Sequence, residues 1–303
     1  MTLDLRAAAT EHLAARRARG YRLADHDWLV RSFLDGLESR GVTTITVADA
    51  LAFARLPEAN ERWHAQRLVV IRDLARHVHG IDPAAAELVP PGLIRSRVVR
   101  RHPYLYSDAQ VEALLSAASA LSPPAIAATM HTFIGLLSVS GMRAGEAVAL
   151  DVGDLDIDQQ VLAVTGKYNK ERLVPLHRSV VEVLAKYLGD RGAQEPFFLG
   201  VRGGRLNANT ARAVFRQLVA ECRLEPRPGC GTPRLHDFRH RFAVISLADA
   251  QRSGSDIDAC VAVLADYLGH VDAACTYWYL EASLELMTSV SERVAAFFSR
   301  NAR

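Results

Sequence analysis

Leu235-His236-Asp237-Phe238-Arg239-His240-Arg241-Phe242-Ala243 is the stretch on which the reading of the fold turns. It follows a loop rich in Gly and Pro, Arg227 to Pro233, and its pattern predicts the first turns of a helix. His236 and Arg239 are three apart, so they share one helical face near the N-terminus. Phe238, Phe242 and Ile245 recur at i, i+4 and i+7 on another face and are expected to bury. The helix would be held down by its apolar side and would present a histidine and an arginine at its positive end. That setting suits an anion, phosphate above all. Taken by itself, the stretch fits a core helix with two solvated polar residues at least as well. The flanking sequence separates the two readings.

Downstream, Ile257 to Leu268 reads as a helix that ends in Gly269-His270. Ala273 to Leu280, containing Thr276-Tyr277-Trp278-Tyr279, and Leu284 to Phe298 read as two closing helices. Leu284, Met287, Val290, Val294 and Phe298 form an apolar stripe in the last, which fits docking on its own domain or on a neighbouring copy. Upstream, Ser107 caps a helix with Leu114 and Leu115 inside, and Ala125 to Ser138 is a second, very apolar helix. Gly141-Met-Arg-Ala-Gly-Glu follows as a Gly-flanked turn into a short helix. Between Asp154 and Leu176 the period switches to two. Leu155/Ile157, Val161 to Thr165 and Arg172 to Leu176 are expected as three short antiparallel strands, the last two joined by a tight turn, Gly166 to Glu171. Ser179 to Leu188 and Asn209 to Cys222 are further helices.

The first hundred residues read as helical throughout. Thr10 to Ala18, Asp27 to Arg40, a helix capped by Thr46 with Asp49 at N3, and Glu61 to His79 are the expected elements. Trp28, Leu29, Phe33 and Leu37 are expected on one buried face. Arg62, Arg67, Arg72 and Arg76 are expected along the outer surface of the last helix, either solvated or against phosphates. Pro83 to Pro103 marks a boundary: Pro90-Pro91-Gly92 breaks helices, and Arg95, Arg97, Arg100 and Arg101 follow. As a bare charge run this is a solvated tether; between two folded units it can lie along a nucleic-acid backbone.

Composition narrows the class. A chain of 303 residues has room for two domains, and 50% hydrophobic with 23% charged residues is ordinary for a globular protein. No apolar run is long enough to span a bilayer and no signal-peptide pattern opens the chain, so a cytoplasmic protein is expected. Cys222, Cys230, Cys260 and Cys275 have no CxxC spacing, which argues against a disulfide framework. Lysine occurs only at Lys167, Lys170 and Lys186, so nearly all the positive charge is arginine.

Several polar residues stand in unusual places. Arg143 lies in an apolar Gly-flanked turn, Lys167 in a hairpin turn, His236 and Arg239 at a helix start, and His270 after a glycine, with tyrosines close behind. Arginine forks grip two phosphate oxygens at once, histidine and lysine exchange protons, and tyrosine can be a covalent nucleophile. The set has no carboxylate cluster for Mg²⁺, and the His236/His240 pair lacks a third ligand for zinc, so neither a metal nor another cofactor is expected.

The order Arg143-Ala-Gly-Glu146, Gly-Lys167, His236-x-x-Arg239, Leu-Gly-His270, then Tyr279 nine residues on, resembles the tyrosine recombinase (phage integrase) family over roughly residues 100–300. Val164-Thr-Gly-Lys-Tyr-Asn-Lys-Glu-Arg-Leu-Val-Pro-Leu176 is similar to the catalytic hairpin of Xer-type members. The resemblance implies a mainly α fold with a small antiparallel sheet. It divides the chain into a helical DNA core-binding domain (1–94), a basic linker (95–103) and a mixed α/β catalytic domain (104–303).

The resemblance also implies roles. Arg143 and Arg239 would clamp a scissile phosphate, and His236 and His270 would assist by hydrogen bonding and proton handling. Lys167 would protonate the leaving 5′ oxygen, Tyr279 would attack phosphorus, and Glu146 would order Arg143. DNA contacts would come from Arg95, Arg97, Arg100, Arg101 and Lys170. The implied partner is double-stranded DNA with a specific recombination site, gripped by a homo- or hetero-tetramer.

Three features depart from the family pattern, the first a harmless one: Gly145 stands where a small polar or hydrophobic residue is more usual. About 31 residues separate Arg239 from His270, which reads as an insertion around Ala250 to Asp258. The Thr-Tyr-Trp-Tyr-Leu ending resembles integrases of mobile elements more than housekeeping Xer proteins. The rivals are a catalytically silent DNA-binding accessory protein of the same fold and a topoisomerase-like relaxase.

Overall fold

The computed structural model describes residues 3–20, 23–56, 58–95, 102–166 and 171–269. The chain divides into two compact units, Met1–Arg100 and Arg101–Arg303.

The first unit is built from four helices: α1 (Leu5–Ala18), α2 (Ala24–Glu38), α3 (Val47–Arg55) and α4 (Glu61–Ile81). Each start with a side-chain cap follows from a polar residue set just before an apolar run. Asp4 accepts from the Arg6 and Ala7 amides, so α1 begins five residues before the expected Thr10. Thr46 caps α3 on the Asp49 amide at 3.1 Å, as expected, and Asn60 caps α4 on the Trp63 amide at 3.0 Å. Leu29, Phe33 and Leu37 of α2 pack with Ile71, Leu74 and Val78 of α4 in one core.

Two expectations for this unit are corrected. Trp28 is 58% exposed, because the buried stripe of α2 runs through Leu29, Val30, Phe33, Leu34 and Leu37 and leaves Trp28 at its edge. The arginines of α4 do not share one outer surface. Arg62 and Arg76 are exposed, but Arg67 is buried. Its Nη2 donates to the Phe53 carbonyl at 2.8 Å, and its guanidinium lies 4.1 Å over the Phe53 ring. It serves the end of α3, whose last carbonyls have no helical donor.

The second unit runs α5 (Asp108–Ser119), α6 (Pro124–Ser140), α7 (Ala144–Ala149), β1 (Leu155–Asp156), β2 (Val161–Thr165), β3 (Glu171–Pro175), α8 (Arg178–Leu188), α9 (Ala208–Glu221), α10 (His236–Arg252) and α11 (Ile257–Leu268). Ser107 and Gln110 form a reciprocal capping box at the start of α5. The strands make one antiparallel sheet in the order β1-β2-β3, with Thr165 opposite Glu171 at the mouth of the second hairpin. β1 is shorter than expected, and Ile157 lies beyond it, exposed. The main core gathers Phe133, Phe197, Phe198, Phe215 and Phe238, with Tyr106 stacked on Phe238 at 4.5 Å.

α10 joins two cores. Phe238 sits in the main one, while Ala243, Val244, Leu247 and Ala248 pack on Val261, Leu264 and Leu268 of α11. By the third turn of α10 the main core has ended. Ile245, expected to bury with Phe238, is therefore 37% exposed. Of the segment expected as an insertion, Ala250 to Asp258, only residues 253–256 lie outside helix. Among the described residues no helix is long and apolar enough to cross a membrane.

α6, α10 and α11 meet at Gly141. Its φ of +60° suits glycine, and a Cβ there would lie 2.6 Å from Phe242 Cδ1 and 3.1 Å from a Leu268 methyl. Gly141→Ala combines left-handed strain with overpacking, together about 2 kcal/mol or more. It is expected to lower the melting temperature of this unit by roughly 5 °C or more. Gly36, exposed within α2 with nothing near its Cβ position, provides the opposite case. Gly36→Ala should stabilise the first unit by about 0.5–1 kcal/mol. Calorimetry of both variants checks the pair; a neutral Gly141→Ala would contradict the packing described.

Candidate active site

The first turn of α10 is anchored from behind. The Asp237 carboxylate is buried and accepts from the Arg234 amide at 2.8 Å and from Arg234 Nη2 at 3.0 Å. Burial pushes its pKa up against the pull of Arg234. With Phe238 in the core and Asp237 tied to its own entry loop, the orientations of His236 and Arg239 are fixed. His236 and His240 meet edge to face at 4.7 Å. Among the described residues no group of three His, Cys, Asp or Glu side chains could hold a metal.

Arg239 points inward and is only 1% exposed. Nη1 donates to the Gly141 carbonyl at 3.0 Å and Nη2 to the Leu268 carbonyl at 2.7 Å. The first contact brings it beside Arg143, which precedes α7. Arg143 donates from Nη1 to Glu146 Oε1 at 2.6 Å, while its backbone amide donates to Oε2 at 3.0 Å. Arg143 Nη2 also reaches the Gly269 carbonyl at 3.4 Å.

Glu146 is held from its other side by Arg172, at 2.8 Å to Oε2 and 3.3 Å to Oε1. Burial disfavours its charge, but the hydrogen bonds from Arg172 and Arg143 outweigh this and keep its carboxyl below the usual range. Arg172 Nε donates to the Tyr267 carbonyl at 2.9 Å. Three consecutive carbonyls at the end of α11, those of Tyr267, Leu268 and Gly269, thus each receive a different arginine. These groups have no donor within their own helix, and they form the negative end of its dipole. Gly269 closes α11 in the left-handed conformation, with φ +65°.

The expected residues divide as follows. Arg143, Glu146, His236 and Arg239 come together around the α7 start, the α10 start and the α11 end. Lys167, Lys170, His270 and Tyr279 lie outside the described residues, as do Arg97, Arg100, Arg101 and the two closing helices. Arg95 is exposed in the first unit. Sequence reasoning passed over Arg172. Its register was a usable signal: it shares the inward face of β3 with Val174, where a charged residue needs a buried partner.

This arrangement can be set beside known proteins. Residues 105–285 match the model of the phage integrase family. The chain belongs to that family. A relative from Sinorhizobium fredii that carries the name integrase/recombinase y4rB is 36% identical over 305 residues, covering 95% of this chain and 96% of that protein. The tyrosine recombinase XerC of Pelotomaculum thermopropionicum is 29% identical over 240 residues, covering 75% of this chain and 72% of that protein. Among solved structures, a lambda integrase tetramer bound to a Holliday junction has the same fold, with a TM-score of 0.64 at 16% identity over 92% of this chain and 77% of that one.

The surroundings of His236 in this family member have a measurable consequence. Although its ring has an open side, desolvation by its neighbours and the charges of Arg239, Arg234 and Arg143 push its pKa down to about 4. An unfolded histidine binds its proton near pH 6.5. Between those values the unfolded chain holds more protons than the folded one, so this group's contribution to stability falls as pH drops from about 6.5 to 4. In NMR titration of the DNA-free protein, the His236 ring should stay neutral at pH 5.5. The melting temperature of His236→Gln should fall less than that of wild type between pH 7 and 4.5. A ring titrating near 6.5 would contradict the crowding by arginines.

Proposed function

We propose that the chain is a tyrosine-type site-specific DNA recombinase that cuts and rejoins duplex DNA through a 3′-phosphotyrosyl intermediate. The observation that carries this reading is the pair Arg143 and Arg239, fixed over Glu146 and the end of α11, directly ahead of Leu268-Gly269-His270 with Tyr279 nine residues beyond. Among the described residues, Arg143 and Arg172 share one carboxylate, Glu146, and Arg239 lies on backbone carbonyls, so guanidinium outweighs carboxylate charge there. That surplus favours a phosphodiester, and favours its more highly charged pentacovalent transition state further.

The steps assign one task to each group. The Tyr279 oxygen attacks phosphorus, the bond from phosphorus to the 5′ oxygen breaks, and Lys167 supplies the proton that the 5′ oxygen takes up. His236, neutral in the free protein, and His270 hydrogen-bond the phosphoryl oxygens and handle the tyrosine proton. Arg143 and Arg239 hold the non-bridging oxygens, Arg239 by turning from the Gly141 and Leu268 carbonyls that bury it in the DNA-free protein. The phosphotyrosine keeps the energy of the broken bond, so attack by another 5′ hydroxyl reseals the strand without an external energy source. Residues 1–94 would act as a core-binding domain and 104–303 as the catalytic domain. Arg95, Arg97, Arg100 and Arg101 in the linker, with Lys170, would contact the backbone. Two sites exchanged by four protomers, and a mobile element as the setting, complete the reading; the lambda integrase neighbour is a tetramer on a Holliday junction, and y4rB bears an integrase name.

The test separates clamp from acid. On a nicked duplex that traps the covalent product, Arg143→Ala should cleave about 10²–10³-fold more slowly. Its duplex affinity should change by only a few-fold, because backbone contacts are spread over both domains. Replacing the bridging 5′ oxygen by sulfur, a leaving group that needs no proton, should rescue Lys167→Ala and leave Arg143→Ala slow. Binding without any covalent product in wild type would favour the silent accessory protein.

A further inference from the structure

We propose that Arg172 is a positioning residue for DNA cleavage: its guanidinium ties Glu146, the carboxylate beneath Arg143, to the Tyr267 carbonyl on the run into His270. The inference rests on the recombinase reading above and adds a residue to it.

Arg172 uses three donors on two partners. Nη1 and Nη2 take the two oxygens of Glu146, at 3.3 and 2.8 Å, and Nε takes the Tyr267 carbonyl at 2.9 Å. The side chain is 14% exposed. Its own strand is fixed by the sheet, where Arg172 pairs with Val164 of β2, three residues before Lys167. One side chain therefore links three segments: the hairpin that carries Lys167, the α7 start that carries Arg143, and the α11 end that leads to His270. The approach is close, since a Cβ on Gly269 would lie 3.3 Å from Arg172 Nη1.

The geometry suits a guanidinium alone. A planar fork reaches a carboxylate with two nitrogens and keeps Nε for a carbonyl in the same plane. A lysine ammonium keeps the charge but cannot span Glu146 and Tyr267 together. Without Arg172, Glu146 keeps Arg143 as its only charged hydrogen-bond partner among the described residues, and nothing ties that pair to α11 through the hairpin. Arg143 itself reaches Gly269 only through a long 3.4 Å contact.

The experiment compares wild type, Arg143→Ala, Arg172→Ala, the double variant and Arg172→Lys. Cleavage rates at saturating nicked duplex and duplex affinities are measured, together with the guanidinium signals of Arg143 in ¹⁵N-arginine-labelled, DNA-free protein. Arg172→Ala should cleave between about tenfold and a hundredfold more slowly, with affinity within a few-fold of wild type. The double variant should be no more than about twofold slower than Arg143→Ala, since both changes disable the same group. Arg172→Lys should remain slow, and it carries the test if Arg172→Ala does not fold. The Arg143 guanidinium signals, resolved in wild type, should average in both Arg172 variants. Multiplying defects, a wild-type rate in Arg172→Lys, or unchanged Arg143 signals would overturn the proposal. If wild type itself forms no covalent product, the recombinase reading fails, and the Arg143 signals alone decide whether Arg172 positions Arg143.

Discussion

Three backbone carbonyls at the end of α11 hold three arginines, and the arrangement of the second unit depends on that capture. Like charges brought this close repel unless something negative lies among them. Among the described residues the compensation is one carboxylate, Glu146, and the carbonyls of Tyr267, Leu268 and Gly269, which have no donor within their own helix. Carbonyls compensate only partly. The cluster therefore holds together as a folded element in which, among the described residues, guanidinium outweighs carboxylate charge. Glycine is needed at the helix end: the left-handed turn at Gly269 exposes the last carbonyls, and the missing side chain leaves room for Arg172.

The apolar packing explains why the cluster stays in register. α10 is anchored at its start by Phe238, stacked under Tyr106 in the main core, and along its length by the small Ala243 and Ala248 against α11. Phe242 fills the space left by Gly141 and stacks on Tyr267, the residue whose carbonyl receives Arg172. The turn at Gly141, α10 and α11 thus share a hydrophobic contact made by residues whose own carbonyls, those of Gly141, Tyr267 and Leu268, receive Arg239 and Arg172. A shift in the packing is felt directly at the guanidinium groups, because interiors this dense do not deform smoothly.

Much of this was legible in the sequence, and the exceptions have physical reasons. Helices with a strong 3.6-residue repeat and polar caps, such as α3 with Thr46 and α5 with Ser107, could be read directly, as could the switch to period two at β2 and β3. Arg143, Glu146, His236 and Arg239 stood out as charged or titratable residues beside glycines or at helix starts. Trp28, Ile245 and Arg67 were misjudged because periodicity gives the face of a helix but not where its neighbour ends. Arg67 covers a carbonyl at the close of α3, which no repeat in α4 encodes. Arg172 was passed over because it looks like one strand residue among several, and its partners lie 26 and 95 residues away in the chain. The carbonyl acceptors were illegible for a simpler reason: every residue has one, and only the fold selects three.

The central claim is that this cluster activates one tyrosine toward a phosphodiester. The most direct measurement is to trap the protein on a nicked duplex, digest the product and find the amino acid that carries the DNA. The account predicts a 3′-phosphate joined to the Tyr279 oxygen in wild type. A link to Tyr277, or no link at saturating DNA, would contradict it.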